Sequence, residues 1–215
     1  MRPRCAKQRN AAMTLFEVAV VIATLLIVAA LFLPRLLESK RIDCVNNLKQ
    51  VGLAFRVWAG DNNDKYPMGT SVTNGGTMEL AATGNVLECF LVMSNELSTP
   101  KILVCPEDAD RIPARFFPDF VSNSNLSYFV GVDATNDADP RRVLSGDGNF
   151  QIGSVPVTSG LLRLRTNAPV AWTAARHIHR GNLTFADGSV LETDDKSLAQ
   201  KMQETGLATN RLAIP

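Results

Sequence analysis

Hydrophobic residues follow two different patterns in the first quarter of the chain. Residues 13–33 form an almost unbroken apolar run, whose polar members are Thr14, Glu17 and Thr24. A helix of that length, at about 1.5 Å per residue, extends roughly 30 Å, which is the thickness of the hydrocarbon core of a bilayer. The run therefore predicts that residues 13–34 form the membrane-spanning half of an N-terminal helix.

Over residues 35–59 the apolar positions form a single face. They recur three, four or seven positions apart, at Leu37, Cys44, Leu48, Val51, Phe55 and Trp58. This spacing places them on one side of a helix, with charged and amide side chains opposite. The pattern predicts an amphipathic half of the same helix, packed on a sheet of the same chain. Pro34 removes one internal hydrogen bond and is expected to kink the helix.

Residues 60–215 are expected to form one globular α+β head. Gly, Thr, Ser and Asn dominate residues 68–86, which predicts a loop, and residues 87–97 and 194–205 have helical patterns. Short apolar runs predict strands over 101–106, 125–132 and 142–148, and the tail after 205 is expected to be irregular. Residues 181–192 predict a hairpin, because Asp187-Gly188 is a strong turn signal between alternating residues.

The charges are distributed unevenly. Four basic residues precede the apolar run, Arg2, Arg4, Lys7 and Arg9, and the remainder of the chain is net negative although the total is +1. A basic leader over residues 1–12 predicts a cytoplasmic N-terminus and a head on the opposite side of the membrane. The negative balance, without a basic stripe interleaved with aromatic residues, argues against nucleic-acid binding.

Glu17 is the residue that separates three interpretations of the apolar run. A cleavable signal peptide usually has an apolar core of about 7–15 residues and a site of small residues, whereas this run ends in Pro34-Arg35. A plain anchor explains the length but not the carboxylate, which costs several kcal/mol in hydrocarbon. In the third interpretation, Glu17 pairs with the N-terminal amine of a neighbouring helix.

The basic leader followed by Met13-Thr14-Leu15-Phe16-Glu17 resembles the signal of type IV prepilins and type II secretion pseudopilins. The resemblance implies that a prepilin peptidase cuts between Ala12 and Met13 and methylates Met13. Glu17 then stands fifth, where the family's glutamate pairs with the N-terminal amine of an adjacent subunit, and Pro34 stands where many pilins have proline. Ala12 occupies a position where the family usually has glycine.

A second resemblance involves the distal part of the chain. His177 and Asp187-Gly188 are separated by nine residues, and this resembles the H-x9-DG motif of bacterial prepilin-like proteins. The helical segment 46–54 and Tyr66-Pro67 are similar to segments of the same family.

The two resemblances imply a pilin-like lollipop, with one long N-terminal helix packed on a small antiparallel sheet. The implied function is a non-enzymatic subunit of a type IV pilus-like filament or a secretion pseudopilus. Its partners would be the prepilin peptidase, other pilin subunits and an assembly platform of the bacterial inner membrane, with the head on the periplasmic side. Two alternatives remain: an anchored binding module that does not polymerise, and an exported enzyme with a metal site in the head.

The candidate chemistry of the head is limited. His177, His179 and Asp187 could bind a metal, His177 could act as a base, or its ring could fix the Asp187 turn structurally. Asp61 and Asp64 raise the possibility of calcium, but their spacing differs from an EF-hand loop. Cys89 and Cys105 could form a disulfide in an oxidising compartment or remain separate buried thiols. The sequence has no phosphate-binding Gly-rich loop, zinc spacing or nucleophile elbow.

Overall fold

A computed structural model describes residues 14–215, apart from the side chains of residues 31–39. The chain divides into two compact units at the Ser39–Lys40 boundary. Helix α1 runs over Leu15–Asp61 and belongs to both units. The leader, residues 1–12, lies outside the described residues.

Within the second unit, α1 buries one face. Cys44, Leu48, Val51 and Phe55 are fully buried, while Ile42, Leu53 and Val57 on other faces are exposed. The buried residues occupy the positions that the three- and four-residue spacing selects, because those positions share one side of a helix. This face forms part of the core of the second unit.

The segment between α1 and the first strand is built from short helices rather than a loop and a strand. The α-helices are α2 (Met78–Ala82), α3 (Val86–Leu91) and α4 (Ser94–Leu97). Short 3-10 helices occur at Pro67–Gly69, Val72–Asn74, Pro100–Leu103, Phe117–Asp119 and Asn123–Asn125. The strand predicted over 101–106 is therefore wrong, because Pro100 and the Thr99 cap start a 3-10 turn there.

The described residues contain nine strands. They are β1 (Tyr128–Gly131), β2 (Val143–Asp147), β3 (Phe150–Ile152), β4 (Val155–Pro156), β5 (Gly160–Arg165), β6 (Val170–Trp172), β7 (Arg180–Phe185), β8 (Val190–Asp194) and β9 (Thr209–Ile214). Helix α5 (Asp195–Glu204) lies between the last two strands.

The strands form two antiparallel sheets. The larger sheet has six strands in the order β5-β9-β1-β2-β7-β8, and the smaller has the order β4-β3-β6. The tail that was expected to be irregular is β9, an interior strand that pairs with β1 on one side and β5 on the other. The predicted hairpin over 181–192 is present as β7 and β8.

The central strands β1 and β2 of the six-stranded sheet are buried on both faces. Tyr128 and Val130 of β1 belong to the core that contains α1, whereas Phe129 between them belongs to a second core. Successive strand side chains point to opposite faces, so one strand supplies both cores. The second core includes α5, and edge-to-face contacts link Phe129 through Phe150 to Trp172 of the smaller sheet, with ring centroids 5.8 and 6.1 Å apart.

The fold class expected from the sequence, a membrane-spanning helix on a small antiparallel sheet, is wrong for this structure. The described chain is a mixed helix and antiparallel-sheet protein with nine strands in two sheets. The sheets are larger than expected because β3 to β6 and β9 lie outside the predicted strands, and β9 is held by pairing with β1 and β5, which are distant in the sequence. Among the described residues, no helix has the length and apolar character needed to cross a membrane.

Candidate functional site

The residues predicted to act in processing and assembly lie at the start of the chain. Ala12 and Met13 are outside the described residues, and the side chain of Pro34 is not described. Glu17 lies in the first turn of α1, where its Oε2 accepts hydrogen bonds from the backbone N–H of Thr14 at 2.7 Å and from Thr14 Oγ1 at 3.0 Å. The carboxylate therefore accepts a hydrogen bond from a backbone N–H group at the exposed N-terminal end of its own helix, where such groups have no partner within the helix.

The Asp187-Gly188 turn joins β7 to β8 and contacts α1. Gly188 has a φ of 83°, and the Asp187 carbonyl accepts a hydrogen bond of 3.2 Å from Arg56 Nη1. The approach is close, since a Cβ on Gly52 of α1 would lie 2.9 Å from Thr184 Cγ2 and 3.5 Å from the Gly188 Cα. At this end of the motif, the turn of the β7–β8 hairpin packs against α1.

Tyr66 adds a second link to the same turn. Its hydroxyl donates a 2.5 Å hydrogen bond to the carbonyl of Ala186, the residue before Asp187, and its ring meets Phe55 edge to face. Burial, reinforced by the charges of Asp137 and Asp187, raises the pKa of Tyr66 to about 12. Sequence segments that are far apart along the chain therefore meet at the Asp187 turn.

His177 lies in a turn with unusual backbone geometry. His177, Ile178 and His179 have φ values of 51°, 47° and 57°, a left-handed run of three residues other than glycine. Each such residue costs about 1 kcal/mol or more. The turn buries His177, whose side chain is 1% exposed, and leaves Ile178 78% exposed. At this turn, a strained backbone and an exposed Ile178 accompany the burial of the His177 imidazole.

The imidazole of His177 contacts two carboxylates and one sulfur. Nδ1 lies 2.9 Å from Glu107 Oε2, which also accepts the backbone N–H of His177 at 2.9 Å. Nε2 lies 3.3 Å from Cys105 Sγ and 3.8 Å from Asp147 Oδ2. Among the described residues, no hydrogen bond connects His177 with the Asp187 turn, so the two ends of the predicted motif have different partners.

Asp147, at the end of β2, is the most buried of the ionisable residues around His177. Its Oδ2 accepts hydrogen bonds from the backbone N–H and the Nδ2 of Asn182, at 2.8 and 2.9 Å, while the buried Oδ1 has no hydrogen-bond partner. Burial raises the pKa of Asp147, and the neighbouring His177 and Arg176 oppose that shift. An oxygen in this position lacks the partner that buried polar atoms normally have.

A second ion pair supports the turn. Arg176 Nη2 lies 2.8 Å from Asp108 Oδ2, with side chains 10% and 2% exposed, and Arg176 Nη1 donates to the Ser127 carbonyl at 3.0 Å. The hydroxyl of Ser127 donates to Asp108 at 2.7 Å and accepts the backbone N–H of Cys105 at 3.0 Å. These bonds hold segment 105–108 against the His177 turn. We call Glu107, Asp108, Asp147, Arg176 and His177 the buried charged cluster.

The cysteine pairing matches neither alternative in full. Cys105 forms a disulfide with Cys44 of α1 rather than with Cys89, and Cys89 is a free buried thiol. Burial raises the pKa of Cys89 to about 11, so this thiol is protonated at neutral pH. The disulfide connects the buried face of α1 to the segment that bears Glu107 and Asp108.

The structure does not bring the predicted metal ligands together. In the described part of the chain, the one group of three residues with metal-binding side chains close together is Cys44, Cys105 and His177, and all three are buried. His179 Nδ1 lies 3.2 Å from the Trp172 carbonyl, and the Asp187 carboxylate accepts the Ser189 N–H at 2.8 Å. Asp61 and Asp64, considered for calcium, belong to no such group among the described residues.

Sequence reasoning identified His177 but missed Cys44, Glu107 and Asp147. The available signals were the sequence Cys105-Pro106-Glu107-Asp108, which places a sulfur and two carboxylates within four residues, and Asp147 between two glycines. Comparisons with protein-family models, curated proteins and solved structures find no match to this chain.

Proposed function

We propose that this protein is a subunit of a type IV pilus-like filament or of a type II secretion pseudopilus, which assembles through the N-terminal part of α1. The observation that carries the proposal is the apolar surface of that part. Its exposed hydrophobic residues are Leu15, Phe16, Val18, Val20, Val21, Ile22, Leu25, Leu26, Ile27 and Val28. A contiguous apolar surface of this size marks an interaction site, and neighbouring copies of the same helix would cover it.

Glu17 gives this surface a polar contact that can define the register between copies. Its carboxylate is held by Thr14 of its own helix. If the chain is cut between Ala12 and Met13, the new amine stands one residue before Thr14 in every copy. A positive amine near the Glu17 of a neighbour forms an ion pair, and an ion pair inside an apolar bundle is strongly favoured over either charge alone.

The proposal includes its processing partner. A prepilin peptidase would cut before Met13 and methylate the new N-terminus, as the resemblance of residues 13–17 implies. Other filament subunits and an assembly platform would be the further partners. The second unit has two hydrophobic cores of its own, which supports a role as a folded head carried by the assembling helix.

The test is the mass of the N-terminal peptide of the protein isolated from its native cells. The expected peptide begins at methylated Met13, and a peptide that begins upstream of Met13 in assembled material contradicts the proposal. Glu17→Ala should reduce filament incorporation at least tenfold. The matched control is Asp61→Ala, which removes an exposed carboxylate at the other end of α1 and should leave incorporation unchanged. Equal incorporation of the two variants would exclude the register role of Glu17.

A further inference from the structure

Two sulfur atoms and one imidazole nitrogen converge in the core of the second unit. The ligand atoms of Cys44, Cys105 and His177 lie within 4.8 Å of one another, and all three residues are buried. They come from α1, from the segment after the Pro100–Leu103 helix and from the left-handed turn. Three segments that are far apart in the sequence therefore place two sulfur atoms and one nitrogen atom around one point. Zinc prefers this set of ligand atoms.

A buried carboxylate, the candidate for a fourth donor, lies beside the histidine of this group. Asp147 Oδ2 is 3.8 Å from His177 Nε2, and the other oxygen of this fully buried carboxylate has no hydrogen-bond partner. Tetrahedral zinc sites commonly combine cysteine, histidine and carboxylate ligands, with metal–ligand distances of about 2.0–2.3 Å. Asp147 lies next to the histidine but outside the group of three whose ligand atoms are all within 4.8 Å of one another, so its carboxylate would turn towards the ion to become the fourth ligand.

Glu107 occupies the position that supports a histidine ligand. Its Oε2 lies 2.9 Å from His177 Nδ1, the ring nitrogen that does not face the sulfur, as an ion-pair contact that lacks hydrogen-bond geometry in the disulfide-bonded protein. A histidine that binds a metal usually gives its other ring nitrogen to a carboxylate, which fixes the ring and the tautomer. The same carboxylate oxygen accepts the backbone N–H of His177, so it also holds the strained turn in place.

We propose that Cys44, Cys105, His177 and Asp147 form a zinc site in the reduced protein, and that the Cys44–Cys105 disulfide is the metal-free, oxidised state. This inference goes beyond the proposed assembly function and does not depend on it. A dithiol reductant supplies two electrons and two protons, the sulfur–sulfur bond breaks, and the reductant becomes a disulfide. Zinc then binds the two sulfurs as thiolates, and the two thiol protons are released to solvent. Oxidation by a disulfide reverses both steps.

The experiment uses the full-length chain in detergent, reduced with a phosphine, and titrated with cobalt(II) as a spectroscopic substitute for zinc. The expected result is about one cobalt per chain, with a thiolate-to-cobalt charge-transfer band and the intense visible bands of a tetrahedral ion. Zinc should displace the cobalt and bleach these bands. The disulfide-intact protein should bind at least tenfold less cobalt under the same conditions.

The variants separate the proposed site from adventitious binding. Cys44→Ser should abolish the charge-transfer spectrum of a two-thiolate site, while Cys89→Ser, which alters a buried thiol outside the group, should leave stoichiometry and spectrum unchanged. Glu107→Gln should weaken cobalt affinity about 10–100-fold, the effect typical of a residue that supports a ligand. His177→Gln, which retains both thiols, should weaken it at least tenfold.

Three results would overturn the proposal. They are a reduced wild-type protein that binds well below one cobalt per chain, a tetrahedral spectrum that depends on Cys89, and equal binding by the oxidised and reduced forms. If a variant fails to fold, the comparison of oxidised and reduced wild-type protein still decides the question. N-terminal mass and filament incorporation, which test the proposed function, are independent of these readouts.

Discussion

His177 and Asp187 belong to one short motif in the sequence, yet their surroundings are opposite. His177 is buried between carboxylates and a sulfur in a left-handed turn, whereas Asp187 is exposed at the tip of a hairpin. The Asp187 end forms packing contacts: a glycine turn, a hydrogen bond to Arg56 and close approach to a helix. The His177 end concentrates buried charge and backbone strain. The comparison teaches that the two ends of one sequence motif can have different surroundings, and that buried charge and backbone strain are found at the His177 end.

The largest expected effect on the free energy of unfolding comes from removing the disulfide that joins the segment beside His177 to α1. Cys44→Ala removes the disulfide that closes a stretch of 61 residues, and the loss of this constraint on the unfolded chain should lower the free energy of unfolding by about 4 kcal/mol. Cys89→Ala is the matched control, since it removes a buried thiol without opening a loop. Chemical denaturation of both variants under non-reducing conditions measures the difference. Equal losses would mean that the disulfide adds no constraint of its own.

A slightly smaller effect tests whether the buried charges differ from surface charges. Arg176→Met leaves Asp108 buried without its cation, which should cost about 3–4 kcal/mol at neutral pH. Arg141→Met breaks the ion pair with Asp139, in which the arginine side chain is 65% exposed, and should cost far less than Arg176→Met because water screens the pair. Urea denaturation of the two variants provides the comparison. Similar losses would remove the contrast between the buried charged cluster and the surface.

The smallest effect concerns the Asp187 end. Tyr66→Phe removes the hydrogen bond to the Ala186 carbonyl and should lower the free energy of unfolding by about 1 kcal/mol at pH 7. Because folding raises the pKa of Tyr66 to about 12, its contribution is fully present below the unfolded pKa of about 10 and is lost as the pH rises towards 12. The stability difference between wild type and Tyr66→Phe should therefore shrink above pH 10.

The measurement is urea denaturation of both proteins at several pH values between 7 and 11.5. Tyrosinate absorbance gives an independent check, since the chain has two tyrosines and burial also raises the pKa of Tyr128. Native wild-type protein should therefore show little tyrosinate at pH 10.5. A full tyrosinate signal at that pH, with the fold intact, would contradict the enclosed environment of both hydroxyl groups.

Local patterns in the sequence were sufficient for several elements. The three- and four-residue spacing selected the residues of α1 that are buried in the second unit, and Asp187-Gly188 located the β7–β8 turn. The pattern over 194–205 located α5, which starts at Asp195 with the Asp194 side chain as its N-cap. These features depend on neighbours within a few positions, so helix periodicity, capping and turn chemistry specify them directly.

The sequence alone thus determined which segments are apolar, where a helix presents one face and where a hairpin turns. Only the tertiary structure decided that β9 lies between β1 and β5, that Cys105 pairs with Cys44 instead of Cys89, and that His177 meets Glu107 and Asp147. The reason is physical. Periodicity is a property of adjacent residues, whereas pairing between distant residues depends on how whole layers pack and on which buried polar groups then find partners.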